Sequence, residues 1–215
     1  MRPVIVTVGP LAAASANNIA LSQTPGAAGP LTLNGSLVVG GVAILDNPRR
    51  ILATTTDSTH TLTVVGLSPT GTVLTEVMAL NGTSVQSALD YAKVTSITIN
   101  AAATGAITVG TNGVASTPWV RLDEWAAPQV AIQCDVLTGA VNYTVQSTFD
   151  DPNSPTNPTT PSAMTWVNSN DSAAVGATAS LQTNYIFAPT FVRVLLNSGL
   201  GSLGVTIVQY NVASY

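Results

Sequence analysis

Apolar and polar residues alternate with a period of two through most of the chain. This alternation is typical of strands that bury one face. Turn sequences separate the alternating runs, as at Pro69-Thr70-Gly71 and Asn81-Gly82, and short turns of this kind favour antiparallel hairpins. The pattern predicts strands at residues 4–8, 36–45, 50–55, 59–67, 72–80, 93–100, 106–109, 129–136, 140–149, 164–167, 190–197 and 202–212.

These strands predict an all-β fold made of two antiparallel, jelly-roll-like β-sandwich blocks. Residues 1–116 form the first block, which includes an extended N-terminal arm, and residues 117–215 form the second. One continuous β-domain is the alternative. Helix is predicted once, at residues 82–91, where Val85, Ala88 and Leu89 recur at helical spacing. Residues 150–161, DDPNSPTNPTTP, are too polar and too rich in proline for a central strand and predict a surface loop.

The predicted arm covers residues 9–30, which are rich in Gly, Pro, Ala, Ser and Asn and show no clear period. Long segments of this kind are uncommon inside compact domains and are often functional. We therefore expect the arm to add a strand to a neighbouring subunit or to lie across it. We also expect it to be dispensable for folding.

The first residues resemble the layout of a secretory leader, with Arg2, an apolar stretch at 3–11 and small residues at 12–16. Gly9-Pro10 interrupts the apolar stretch, so we expect this segment to remain part of the protein. No stretch approaches the roughly 18 to 20 consecutive apolar residues of a membrane helix. The sequence therefore predicts no membrane partner.

Asp, Glu, Lys and Arg make up only 7% of the 215 residues, against roughly a quarter in ordinary soluble domains. A surface with so few charges costs little to desolvate, which suits a subunit held permanently in an assembly. An extracellular β-domain with a neutral polar surface is the alternative. The net charge of −4 and the scattered cations give no basic stripe, so no nucleic-acid partner is predicted.

Nucleophilic and metal chemistry find few suitable residues. His60 is the single histidine and Cys134 the single cysteine, so a Cys-His pair or a histidine metal cluster lacks partners. We expect His60 to be structural or exposed and Cys134 to be a small packed residue. The sequence predicts no catalytic, cofactor-binding or metal-binding residue and no cofactor.

Two adjacent carboxylate pairs, Asp123-Glu124 and Asp150-Asp151, are candidates for glycoside hydrolysis, which needs two carboxyls facing one sugar bond. Neighbouring residues on a strand point to opposite faces, so neither pair fits. Capping of a turn is the simpler role for Asp150-Asp151, and Arg121 is the expected charge partner of Asp123-Glu124.

Two carboxylate arrangements stay open. Asp150, Asp151 and Asn153 group hard oxygen ligands of the kind that calcium prefers, although the sequence lacks an EF-hand pattern. Carboxylates distant in sequence, such as Asp57 and Asp135, can also converge in a fold.

Several segments resemble those of tailed-bacteriophage virion structural proteins. In the first block these are residues 59–66 (THTLTVVG), 71–76 (GTVLTE) and 91–99 (YAKVTSITI). A companion set in the second block comprises residues 143–152 (YTVQSTFDDP), 165–166 (TW), 192–194 (VRV) and 207–209 (IVQ). Together they cover most of residues 50–212, whereas the arm lies outside the resemblance.

The resemblance implies a non-enzymatic component of a virion assembled in the host cytoplasm. The expected role is a capsid decoration or cement protein that binds and stabilises the head lattice. Its expected partners are the major capsid protein and copies of itself, as a homotrimer. A head-to-tail connector or tail structural protein is the alternative, and a carbohydrate-binding β-sandwich adhesin, marked by exposed aromatic residues, is the alternative from another class.

Assembly contacts are predicted at apolar residues of the arm, at the adjacent arginines and at tryptophans that can anchor an interface. The candidates are Leu11, Ile19, Leu21, Arg49, Arg50, Trp119 and Trp125.

Overall fold

The computed structural model describes residues 3–123 and 129–209. Strands account for 55% of the structure and helices for 3%, which confirms the all-β, antiparallel class. The jelly-roll-like arrangement of the strands stays a prediction. The strands of the described residues are β1 (Val4–Val8), β2 (Ser15–Gln23), β3 (Gly29–Pro30), β4 (Val38–Val39), β5 (Val42–Thr55), β6 (Thr61–Leu67), β7 (Val73–Ala79), β8 (Ser84–Gln86), β9 (Tyr91–Ile99), β10 (Ile107–Ser116), β11 (Val120–Arg121), β12 (Val130–Thr138), β13 (Asn142–Thr148), β14 (Val167–Asn168), β15 (Val175–Ala177), β16 (Leu181–Tyr185), β17 (Phe191–Ser198) and β18 (Ser202–Gln209). Short 3-10 helices occupy Pro161–Ala163 and Ser172–Ala174.

The chain divides into two compact units. Residues 12–113 form one, here called the central unit, and the described residues before and after them form the other, the terminal unit. β1 belongs to the terminal unit because it pairs antiparallel with β18, from Val4 opposite Ile207 to Val8 opposite Leu203. The prediction that placed residues 4–8 in the first block is therefore wrong.

The terminal unit is built from two groups of strands that share one core. One group is a four-stranded sheet in the order β1-β18-β12-β16, and in the other β13 and β17 pair with each other and with the short strands β14, β15 and β11. Apolar side chains alternate along these strands, so Ile132 and Ile207 of the sheet enter the same buried cluster as Val145 and Val194 of the other group. This packing holds the loop ends of β13, β16 and β17 in fixed positions.

The central unit is an antiparallel sheet that runs in the order β7-β6-β9-β5-β10. β5 is fourteen residues long and changes partner along its length. Its first residues pair with β4, its residues from Ala43 to Arg49 pair with β9 across a register shift, and its last residues pair with β8. β7 lies at the edge, and β6 is its only partner strand among the described residues.

The predicted helix at residues 82–91 is wrong. Residues 84–86 form β8, in which Val85 lies opposite Ala53 of β5. The N–H groups of Ala88 and Leu89 donate to the Glu76 carboxylate at 2.6 and 3.1 Å. A ten-residue helix is marginal by itself, and these long-range hydrogen bonds favour an extended chain.

The predicted free arm is also wrong, because residues 15–23 form β2, which pairs with β10. Ile19 and Ala20 of β2 are fully buried. Two glycines make the close approach possible, since a Cβ atom at Gly110 would overlap the carbonyl oxygen of Ser15, and one at Gly35 would overlap the backbone of Asn18. The segment is thus an integral strand of the central unit.

Candidate functional site

Arg49 is buried and joins the two ends of the central unit. Its Nη1 donates to the carbonyl of Ala12 at 3.0 Å and to the carboxylate of Asp46 at 3.1 Å, while its Nη2 donates to the carbonyl of Asn112. Asp46 in turn accepts the N–H of Ala12 at 2.7 Å. The predicted assembly contact at Arg49 is therefore wrong, because this guanidinium is buried and its two Nη atoms bind partners inside the chain.

The other candidates from the arm and the arginine pair divide by burial. Leu11 belongs to the core of the terminal unit and Ile19 to that of the central unit, so neither faces a partner. Arg50 is largely covered and lies 3.6 Å from the buried carboxylate of Asp90. Leu21 keeps 44% of its surface exposed and is the arm candidate still open to contact.

Trp119 is half-buried in a cluster of rings. Its ring centroid lies 5.4 Å from that of Trp166 and 6.2 Å from that of Phe191. The Arg193 guanidinium stacks over Trp166 at 4.2 Å, which is a favourable cation–π distance. These tryptophans pack on each other rather than presenting open ring faces, and Trp125 lies outside the described residues.

Among the described residues, Asp57 and His60 are the two side chains that most resemble an acid–base pair. The Asp57 carboxylate is buried and lies 2.7 Å from His60 Nδ1. It also accepts the N–H groups of Thr59, at 3.0 Å, and Thr104, at 2.9 Å. The neighbouring hydroxyl, Thr59 Oγ1, contacts the same ring nitrogen at 3.2 Å, so it does not occupy the Nε2 side where a triad places its nucleophile.

Burial on its own would raise the pKa of the Asp57 carboxyl. The N–H groups of Thr104 and Thr59 and the His60 ring outweigh that effect and hold the pKa well below its usual range. The Asp57 carboxylate therefore joins loops of the central unit as a charged structural group. The order Asp-x-x-His in the sequence is the signal that could have located it, since Asp side chains often bind N–H groups two and three residues on.

Asp150 and Asp151 organise the loop that follows β13. Asp151 Oδ1 accepts the N–H of Asn153 at 2.8 Å, and Asp150 Oδ2 accepts the N–H of Thr165 at 2.6 Å. The Asn153 contact fits the predicted turn-capping role for Asp151, whereas Asp150 binds a residue fifteen positions further along the chain. Asp151 also pairs with Arg121 at 2.7 Å.

Cys134 is buried in the terminal unit, as expected for a small packed residue. Burial raises the pKa of its thiol to about 12, so the thiol stays protonated at neutral pH. Within residues 3–123 and 129–209, no three His, Cys, Asp or Glu side chains come close enough to hold one metal ion. The same residues include no helix with the length and hydrophobicity needed to cross a membrane.

Four of the few charged residues, Arg49, Asp57, Asp90 and Arg193, are buried. Each of these four has hydrogen-bonding or ion-pairing partners inside the chain. These four charged side chains therefore stabilise the fold from inside. The exposed residues are mainly Thr, Ser, Asn, Gln and apolar residues, with few charges such as Lys93 and Arg121.

Two edge strands present uncharged outer surfaces. On the four-stranded sheet, Ile5 of β1 is 71% exposed and lies in register with Thr206 and Gln133 of the neighbouring strands. On the central unit, the exposed Val73 and Val77 of β7 lie opposite Leu67 and Thr63 of β6. A partner that covers these edge strands meets no exposed charge on them, and the nearest cation on the central unit's face is Lys93 of β9, opposite Leu67.

Comparison of the chain with protein-family models, with curated proteins and with solved structures found no match.

Proposed function

We propose that the chain is a non-enzymatic structural subunit of a tailed-bacteriophage virion, and that it acts as a capsid decoration protein which binds and stabilises the head lattice. The observation that carries this proposal is the sparsely charged exterior, together with the internal use of four charged side chains. A protein that stays free in solution benefits from surface charge of both signs. A protein that is permanently covered by neighbours does not need it.

The edge strands support the same role. Isolated proteins protect sheet edges with charged side chains, prolines or bulges. β1 reads Val-Ile-Val-Thr-Val and has none of these inside the strand. β7 has one charged residue, Glu76. The Glu76 carboxylate accepts hydrogen bonds from the N–H groups of Ala88 and Leu89, so it does not protect the strand edge from pairing.

The partners in this proposal are the major capsid protein and further copies of the chain, arranged as a homotrimer on the head. A decoration protein attached in this way is assembled in the host cytoplasm and carried in the virion. Attachment by sheet edges and neutral faces does not require the predicted arm, since β2 is part of the central unit. A head-to-tail connector or tail subunit would use the same surfaces at far fewer positions.

The copy number of the chain in purified particles tests the proposal. Quantitative mass spectrometry against the major capsid protein gives that number directly. A decoration protein is expected at on the order of hundreds of copies, whereas a connector ring gives about six or twelve. Absence of the chain from purified particles would contradict the virion role altogether.

A further inference from the structure

A row of three aromatic rings leads from the core of the terminal unit to its surface. Tyr185 is buried, Phe187 is half-buried against the core, and Phe149 is 70% exposed. The ring centroids of Tyr185 and Phe187 are 5.3 Å apart, and those of Phe187 and Phe149 are 5.6 Å apart. The Thr190 hydroxyl donates to the Phe149 carbonyl at 3.0 Å. The outermost ring is thus held in position by its neighbours although it faces solvent.

The Phe149 ring forms one wall of a cleft of about 350 Å³, which falls in the size range of small-ligand sites. Polar side chains of Asp150, Asn168 and Asn170 line the same cleft. The Asp150 carboxylate is fixed there because its Oδ2 accepts the N–H of Thr165 at 2.6 Å. The cleft therefore combines one flat apolar surface with several hydrogen-bonding groups.

Tyr185 adds a second, independent feature. It lines the cleft, is 96% buried, and its hydroxyl makes no hydrogen bond of normal geometry. The hydroxyls of Ser147 and Ser169 lie near enough to offset part of the rise in the pKa of Tyr185 that burial causes. Tyr185 thus forms the closed inner side of the cleft, and its ring supports Phe187, on which Phe149 packs.

We propose that this cleft binds a neutral pyranose sugar, with the C–H face of the ring stacked on Phe149. Sugar hydroxyls are donors and acceptors, so they suit the Asp150 carboxylate and the amides of Asn168 and Asn170. The described residues that line the cleft include a carboxylate and no cation. This charge favours a neutral sugar over an anionic one.

Sugar binding goes beyond the proposed assembly role and does not depend on it, because the cleft lies within the terminal unit of a single chain. An exposed, well-supported phenylalanine can also anchor a protein partner. The polar groups around Phe149 favour a sugar, since a protein anchor is normally ringed by residues that exclude water.

Saturation-transfer NMR on the full chain tests the proposal with three probes: the methyl glycosides of glucose, galactose and N-acetylglucosamine. Saturation is expected to reach the ring protons of at least one of them. Phe149→Ala is expected to weaken that binding about tenfold, because it removes the stacking surface. Asn170→Ala is expected to weaken it less, since one hydrogen bond is lost.

Ile186→Ala is the matched control. Ile186 is 81% exposed and follows Tyr185 directly, but it lines a different depression of the surface. This variant is expected to bind the sugar as the original chain does, and circular dichroism shows whether each variant remains folded. No transfer to any of the three probes, or binding that Phe149→Ala leaves unchanged in a folded chain, overturns the proposal. Equal binding of methyl glucuronide overturns the preference for neutral sugars.

Discussion

The Nη1 atom of Arg49 lies 3.1 Å from the carboxylate of Asp46, and both residues belong to β5 of the central unit. The same guanidinium also donates hydrogen bonds to the carbonyls of Ala12 and Asn112, which lie near the two ends of the central unit. One of the few charged side chains thus holds the two ends of the central unit together and is not available to bind a partner. This placement has a direct consequence for stability.

Arg49→Met is expected to lower the free energy of unfolding by about 1–3 kcal/mol, because it removes the donor that serves the carbonyls of Ala12 and Asn112 and one of the donors to Asp46. Lys93→Met removes an exposed cation of β9 and is expected to change stability by less than about 0.5 kcal/mol. Urea unfolding followed by far-UV circular dichroism measures both. Equal stability of the two variants would show that Arg49 is not a structural residue.

Docking of β2 gives a second prediction, which uses two glycines of the same strand. Gly110→Ala places a Cβ against the carbonyl oxygen of Ser15 and is expected to destabilise the protein by about 1–3 kcal/mol. Gly113→Ala meets open space and is expected to have little effect. If urea unfolding shows the same midpoint for both, residues 15–23 do not pack on β10 as the structure has them.

The pH dependence of stability should carry the signature of Asp57. Because its folded-state pKa is depressed, the carboxylate contributes stability that is fully present above the unfolded-state pKa of about 3.9. That contribution is lost as the pH falls through the lower folded-state value. Asp57→Asn is expected to reduce the proton uptake on acid unfolding by about one proton. Chemical unfolding at a series of pH values below about 5 measures this uptake, and an unchanged profile would rule out the charged Asp57.

The strand pattern could be predicted from the sequence, whereas several partners could not. Alternation identified β6, β7, β9, β12, β13 and β17 to within a few residues. It missed β2 and β16, whose sequences SANNIALSQ and LQTNY contain too many polar residues for the pattern to register. These strands are specified by partners distant in the chain, such as β10 and β12, which a local pattern does not contain.

The candidate sites show the same division. Turn capping by Asp151 follows from local chemistry and was predicted, whereas the contact of Asp150 with Thr165 was not. The burial of Arg49 and the aromatic row that ends at Phe149 depend on residues far away in sequence, so composition and spacing gave no sign of them. The sequence pointed to the tryptophans as aromatic candidates, yet among residues 3–123 and 129–209 the exposed ring is Phe149.

Attachment to the head should resist salt. Since the exposed faces of β1 and β7 are uncharged, binding depends on shape, backbone pairing and apolar contact, and screening has little to weaken. Release of the chain from particles is therefore expected to change little between low and high sodium chloride. A steep rise in release with salt would show instead that the sparse surface charges carry the attachment.

A charge placed on an edge strand is expected to disturb attachment without disturbing the fold. Ile5→Lys on β1 and Val77→Lys on β7 put a cation where a neighbour has to desolvate it. Leu200→Lys, at an exposed position just before β18, is the control. Circular dichroism verifies the fold of all three variants before they are compared.

The central claim is that the edge strands β1 and β7, whose exposed faces are uncharged, attach the chain to an assembly. Occupancy of undecorated heads by these three variants tests this claim most directly. The account predicts that Ile5→Lys or Val77→Lys lowers occupancy at least about tenfold, while Leu200→Lys binds as the original chain does. If the original chain does not bind heads, or if both edge variants bind as well as the control, the assembly role of these strands is contradicted.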